Sequence, residues 1–238
     1  MKGIGTDEHT LNRIIVSRSE VDLKQIKEEY EKLFKVAMEK DIKDDVSGDY
    51  GKLLLMLIKD PSQRIYLDPK GQVQDTEPHV VEQVEEPKID ETPTLVDYAG
   101  FNAASDAERL RKAMKGLGTD EKTIIEILGS RSNKQRQEIK SAFSQAFGRD
   151  LLKELDDELS GSFRDTVECL MMTPIELDAW QFHKAIAGLG TDELSLIELL
   201  TTRSAEQLTA IKTQYQSSKS SSPLSFVVVQ QSFDRFAL

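Results

Sequence analysis

The chain has 238 residues, 38% of them hydrophobic, enough to bury a sizeable core in one or two domains. Its 31 basic and 42 acidic residues leave a net charge of −11, which excludes the basic stripe that nucleic-acid binding needs and opposes contact with an anionic membrane by electrostatics alone. Any approach to such a membrane therefore needs a bridging cation.

Residues 1–59 open with a glycine loop, Met1-Lys2-Gly3-Ile4-Gly5-Thr6-Asp7-Glu8, and contain Arg18-Ser19, then Ile26, Lys27 and Tyr30, then Asp44-Asp45-Val46-Ser47-Gly48. Residues 60–94 break the helical pattern. Pro61, Pro69, Pro78, Pro87 and Pro93 punctuate them, and Glu82, Glu85, Glu86, Asp90 and Glu91 make the second half acidic. So few large apolar residues do not offset ordering entropy, and a flexible or loosely packed linker is expected, with partner binding by Glu82 to Glu91 as the lesser reading.

Residues 95–172 repeat the opening pattern in full. The spacing predicts a helix from Asp106 to Lys115 that stops at Gly116, in the loop Met114-Lys115-Gly116-Leu117-Gly118-Thr119-Asp120-Glu121. Thr119 is expected to cap the next helix, with Asp120 and Glu121 in its first turn at the positive end of the dipole. Ile124, Ile125, Ile127 and Leu128 supply its buried face, and Ser132 with Gln135 reads as a capping box opening a third helix. Two more follow, Asp150 to Leu159 and Phe163 to Met172. The single cysteine, Cys169, lies beside the apolar stripe of the last and is read as a core residue; no disulfide can form within the chain, which fits a reducing cytosol.

Residues 173–216 begin the pattern again. Trp180 and Phe182 are expected to pack in a first helix, before Ile186-Ala187-Gly188-Leu189-Gly190-Thr191-Asp192-Glu193 and a capping box of Ser204 with Gln207. Residues 217–238 diverge, with Ser217 to Ser222 and Pro223 where helix should continue. Gly118 and Gly190 lie 72 residues apart and Gly5 and Gly118 lie 113 apart, and Arg131-Ser132 and Arg203-Ser204 recur at the same offset as Arg18-Ser19. Ile139 and Phe143, like Ile211 and Tyr215, match Ile26 and Tyr30, and all are expected in the core. Agreement at so many offsets makes this a true repeat of five helices, and with no useful period-two alternation the fold is all-α.

Two glycines flanking one residue let the backbone bend tightly and can turn the carbonyls of Met114, Gly116 and Gly118 toward one point. Calcium favours carbonyl oxygens with at least one carboxylate. Forty residues beyond Gly118 stands Glu158, and forty beyond Gly5 stands Asp45; both precede a Ser-Gly turn by the same interval. Gly-x-Gly-Thr alone suits a plain link between helices, but a distal carboxylate present twice at one offset points to calcium. Forty beyond Gly190 stands Gln230, a neutral amide, so the third loop is expected to be a weak or absent site.

The combination of Met-Lys-Gly-x-Gly-Thr, the Arg-Ser pair and a carboxylate before Ser-Gly, in repeats of about seventy residues, resembles the annexin family. The resemblance implies five helices per repeat wound in a right-handed superhelix, calcium loops on one membrane-facing side, and reversible, calcium-dependent binding of acidic phospholipid. It implies ligands Met114, Gly116, Gly118 and Glu158 in one site and Met1, Gly3, Gly5 and Asp45 in another, with Thr119 and Glu121 as a secondary site. Ile4, Leu117 and Leu189, the residues between the glycines, serve either shallow insertion among headgroups or a small hydrophobic contact within the protein.

The first copy looks like a fourth, closing annexin repeat and the second like a first. That order resembles the middle of an eight-repeat annexin; a truncated transcript or faulty gene model is the other explanation. Incomplete repeats at both ends predict self-association or protein partners. Arg18, Arg131 and Arg203 are read as structural, bonding helix carbonyls or pairing with a carboxylate rather than binding phosphate. No Ser-His-Asp, metal-histidine or Walker pattern is present, and His9, His79 and His183 are scattered, so no enzymatic activity is expected. With no signal-peptide pattern and no run long enough to span a bilayer, a cytoplasmic protein, peripheral on membranes when calcium is bound, is the expectation. The alternative function is a helical-repeat interaction scaffold in which calcium acts as a conformational effector.

Overall fold

The structure, a computed structural model, describes residues 6–64, 66–67, 73–74, 92–116, 118–186 and 191–217. Met1, Gly3, Ile4, Gly5, Leu117, Leu189 and Gln230 lie outside the described residues, as does the tail beyond Ser217. Among the described residues there are twelve α-helices and one two-residue antiparallel pairing, β1 (Tyr66–Leu67) with β2 (Val73–Gln74). The fold is all-α, with that short pairing inside the proline-punctuated segment as the one departure from helix and turn among the described residues. Residues 1–171 and 172–238 form two compact units.

The middle repeat has all five expected helices: α5 (Ala103–Ala113), α6 (Glu121–Leu128), α7 (Asn133–Phe147), α8 (Leu151–Glu158) and α9 (Gly161–Met171). Ser132 and Gln135 form the reciprocal capping box at the start of α7. The start of α6 differs from expectation. Asp120 is the N-cap, its carboxylate accepting from the Thr123 amide at 3.1 Å, and the Thr119 hydroxyl is left for another partner. Ala107, Leu110, Ile124, Ile127, Ile139 and Phe143 are fully buried, because α5 lies over α6 and α7 and closes the core of the repeat. Cys169 is buried as a free thiol.

The first repeat shows four helices, α1 (Glu8–Arg18), α2 (Leu23–Phe34), α3 (Met38–Asp45) and α4 (Gly48–Leu57), equivalent to the last four of the middle repeat. No described helix stands where α5 stands in the middle repeat. Tyr30, expected in the core, is half-buried, with its hydroxyl donating to Asp41 at 2.6 Å, whereas its counterpart Phe143 is fully enclosed. The two repeats meet reciprocally within one unit, α1 against α9 and α4 against α6. A buried Thr166 hydroxyl donates to the Asn12 side-chain oxygen across this seam at 3.0 Å. Glu20 reaches across it as well, accepting from the Asn133 amide at 2.8 Å and from Arg136 at 3.0 Å.

The segment expected to be loose is anchored at both ends. Arg64, 8% exposed, donates to the carbonyls of Leu57, Thr94 and Gly129, at the end of α4, across the segment and just past α6. Thr94 is buried, its hydroxyl donating to Leu57 at 2.7 Å and its amide to Ser19 at 2.8 Å. In the middle repeat the equivalent helix end is held by Arg136, which donates to Leu170 at 2.8 Å and Leu128 at 3.3 Å. Leu23 occupies the position of Arg136 in the first repeat, so the guanidinium that satisfies those helix carbonyls comes from the linker instead.

The second unit contains α10 (Pro174–Ile186), α11 (Glu193–Thr202) and α12 (Ala205–Ser217). Ala179, Phe182, Leu199, Ile211 and Tyr215 share its core, and Ser204 and Gln207 bond reciprocally at the start of α12. Trp180 is half-buried, with the Lys184 ammonium 5.1 Å from its ring centre. The arginine reading holds in a pattern of its own. Arg131 pairs with Asp106 at 2.7 Å and Arg203 with Asp178 at 2.7 Å, each carboxylate 25 residues upstream on α5 or α10. Arg18 pairs instead with Asp22, four residues downstream.

Candidate metal centre

The middle loop joins α5 to α6 through seven residues, 114–120, and is closed at its base by the Asp120 amide donating to the Ala113 carbonyl at 2.9 Å. Met114 terminates α5 and its side chain is buried, while Lys115, Gly116 and Gly118 are exposed. Gly116 and Gly118 have φ of +128° and +89°, and a Cβ at either would meet no atom within 4 Å. These glycines are required by backbone conformation and not by lack of room.

Glu158 is the last residue of α8, where the chain turns extended at Leu159 before α9 begins. The end of that helix brings it to the loop. The Thr119 hydroxyl donates to a Glu158 carboxylate oxygen at 2.7 Å across 39 residues of sequence. One carboxylate, one hydroxyl and the backbone carbonyls of a loop are oxygen donors suited to a hard cation. Among the described residues no three His, Cys, Asp or Glu side chains converge to hold a metal, so an ion here would draw on loop carbonyls for most of its protein ligands.

In the first repeat Asp45 ends α3 just as Glu158 ends α8, and it is likewise exposed. The Thr6 hydroxyl donates at 3.4 Å to the backbone carbonyl of Asp45. Asp45 and Glu158 line one open cleft of about 430 Å³, together with Glu8, Asp49 and Glu121, so the carboxylates of both repeats share one face of the unit. Glu121, half-buried at the start of α6, lines this cleft with Glu158, and Thr119, two residues before it, is half-buried as well.

The helices leaving the loops are fixed by carboxylates. Backbone and hydroxyl donation from Thr10 holds the Asp7 carboxyl below the usual 3.8, and the Thr123 hydroxyl and amide do the same for Asp120. In the second unit the Asp192 amide closes its loop onto Ala185 at 2.9 Å and its side chain caps α11, the same junction without a described distal carboxylate. Two positions gained roles that spacing did not assign. Thr119 holds the distal carboxylate, and Arg64 joins both repeats; its one advance signal was a lone arginine in an acidic, apolar-poor stretch.

The sequence profile of the annexin family matches residues 1–57, 105–170 and 177–222. The chain is 43% identical to Annexin A6 of Gallus gallus over 218 residues, 91% of this chain and 32% of that protein. It is 54% identical to Annexin A11 of Oryctolagus cuniculus over 123 residues, 52% of this chain and 24% of that one. The chain thus spans between about a quarter and two fifths of the curated relatives it matches. Among solved structures it resembles annexin III, with TM-score 0.72 and 26% identity over 99% of this chain and 67% of that chain. Calcium-bound annexin (Sm)1 matches with TM-score 0.53 and 35% identity, over 58% of this chain and 41% of that chain, which makes calcium an ion bound within this group. The repeat, the loop and these matches together make the chain a member of the annexin family.

Proposed function

We propose that this chain binds calcium and, through it, docks reversibly on acidic phospholipid membranes. The main site is formed by the carbonyls of Met114, Gly116 and Gly118 with the Glu158 carboxylate. Thr119 and Glu121 form a secondary site beside it. A second main site uses Met1, Gly3, Gly5 and Asp45, and Ile4, Leu117 and Leu189 are the apolar loop tips that meet the headgroups. The observation that carries this reading is the hydrogen bond from Thr119 to Glu158, which ties a distant carboxylate to a loop of backbone carbonyls.

When bound, calcium supplies positive charge and open coordination positions for lipid phosphate. The chain's own residues do the rest. Gly116 and Gly118 set the loop path, Asp120 anchors its exit, and Thr119 orients Glu158. Asp45 and Glu158 line one cleft, an arrangement that favours both repeats engaging a single bilayer, with the avidity that two linked contacts bring. The chain is then cytoplasmic and peripheral on the membrane. Among the described residues no helix is long and apolar enough to cross one.

Sedimentation of the full chain with phosphatidylserine vesicles, with calcium and with chelator, tests this. Binding that needs calcium and is lost in Glu158→Gln combined with Asp45→Asn is expected; binding indifferent to both refutes the proposal.

A further inference from the structure

One lysine is held fast in the first repeat and released in the middle one. Lys27 on α2 donates to the Ile58 carbonyl at 2.7 Å and pairs with Glu39 at 2.5 Å. Its counterpart at the repeat offset is Lys140 on α7. Leu152 stands where Glu39 stood, and the equivalent helix-end carbonyl, that of Met171, is taken by the Gln137 amide at 2.9 Å. Both partners of the lysine are thus gone, and among the described residues nothing bonds or pairs with the Lys140 ammonium. A half-buried lysine without a protein partner keeps its full charge for an anion from solution.

Lys140 lines an open cleft of about 560 Å³ between the end of α7 and the start of α8, together with Ser141, Ser144, Gln145 and Arg149. Glu28 and Glu31 occupy the places of Ser141 and Ser144 in the first repeat, so two carboxylates near the lysine have become hydroxyls. Arg149 replaces Val36. Its guanidinium donates to Glu154 at 2.7 Å, but the other oxygen of that carboxylate accepts from Arg111 at 2.6 Å, so one negative charge is divided between two guanidiniums. Asp150 is the one carboxylate lining the cleft among the described residues, and it is engaged as the N-cap of α8, accepting from the Leu152 and Lys153 amides. A chain of net charge −11 therefore gathers two cations and two hydroxyls around one cavity.

We propose that this α7–α8 cleft binds a phosphate monoester, with Lys140 and Arg149 meeting its charge and the serine hydroxyls donating to its oxygens. A monoester carries a charge of about −1.5 to −2 at neutral pH and three strong acceptor oxygens, which two cations and adjacent hydroxyls match in charge and in kind. A carboxylate needs only one of the cations. The cleft lies at the start of α8 and Glu158 at its end, so the ester binds without calcium and leaves the loop site free.

The probe is glycerol 3-phosphate, titrated into the nitrogen-15-labelled full chain in chelator, at an ionic strength held constant with sodium chloride, and followed by amide chemical shifts. Saturable shifts at Gly148 and Arg149 are expected, with a dissociation constant on the order of 1 mM. Lys140→Met is expected to weaken binding about tenfold and Arg149→Gln about fivefold, each removing one charge-assisted contact. Leu152→Glu returns the first repeat's carboxylate to the lysine and is expected to weaken binding as much as Lys140→Met. Lys134→Met, at an exposed lysine of the same helix outside the cleft, is expected to leave the affinity unchanged. The same spectra report whether each variant keeps its fold. Shifts that grow without saturating, or equal losses in Lys134→Met and Lys140→Met, overturn the proposal, because either is the mark of unspecific charge screening. Sedimentation in chelator with vesicles containing phosphatidic acid separates two sources of the ester. Sedimentation that depends on Lys140 assigns a lipid headgroup, and saturation by glycerol 3-phosphate without sedimentation assigns a soluble ester. Calcium-dependent binding to phosphatidylserine vesicles is a separate readout, expected to be unchanged in Lys140→Met.

Discussion

The Thr119 hydroxyl and the Glu158 carboxylate, 39 residues apart in sequence, lie 2.7 Å apart at the end of α8. A carboxylate has about four lone-pair sites, so it accepts this bond and retains oxygen capacity for an ion. The bond positions Glu158 without consuming it. Thr119→Val keeps the shape and removes the donor. The expected outcome is a calcium affinity about fivefold weaker, the equivalent of about 1 kcal/mol for one exposed hydrogen bond to a charged group, with the thermal midpoint little changed. Calorimetric titration with calcium in the presence of phosphatidylserine vesicles checks it; an affinity equal to the parent's contradicts the positioning role.

Arg64 donates to three carbonyls, those of Leu57 in the first repeat, Thr94 at the end of the linker and Gly129 in the middle repeat. Arg64→Met fills similar space and leaves those acceptors without their charged donor. A loss of about 2 to 4 kcal/mol is expected from buried acceptors losing charge-assisted bonds. Urea denaturation measures it. A midpoint unchanged within error would show that the linker end is dispensable.

Two chemically similar ion pairs differ in burial and are expected to differ in consequence. Arg131 and Asp106 are each 5% exposed, whereas Arg18 and Asp22 are 25% and 26% exposed. Asp106→Asn strands a buried guanidinium and is expected to cost about 3 to 5 kcal/mol. Asp22→Asn removes a screened surface pair and is expected to cost about 1 kcal/mol or less. Equal losses in parallel denaturation curves would contradict the burial argument.

Acid is expected to loosen the loop exits first. Asp7 and Asp120 have folded-state values below 3.8, so each contributes stability that is fully present above the unfolded value and is lost as pH falls through the lower folded one. As pH falls below the usual carboxylate value, the Thr10 and Thr123 amides should lose hydrogen-exchange protection ahead of the core of α7. Asp120→Asn keeps a cap that does not titrate, and should flatten the acid response of Thr123 alone. Protection of Thr123 that falls with pH just as steeply in the variant would place the titration elsewhere.

Much of this was legible in the linear chain because helical repeats write their rules locally. Apolar residues recur with the helical period, Ser132 with Gln135 declares a helix start, and a carboxylate at a fixed offset recurs after the same loop. Where reading failed, two residues competed for one role. Thr119 and Asp120 are both good N-caps, and spacing does not say which side chain faces the helix and which faces Glu158.

Sequence by itself determined the repeat, its all-α character, the glycine loops and the identity of the distal carboxylates, since each depends on residue type at short or fixed range. Only the tertiary structure decided what each helix is covered by. It made Arg64 a clamp in a segment whose composition reads as loose, it enclosed Phe143 while leaving Tyr30 half-open, and it turned Arg18 onto Asp22 where Arg131 finds Asp106. The physical reason is that burial and hydrogen-bond partnership belong to neighbours in space, and the same local pattern takes a different state when its neighbours differ.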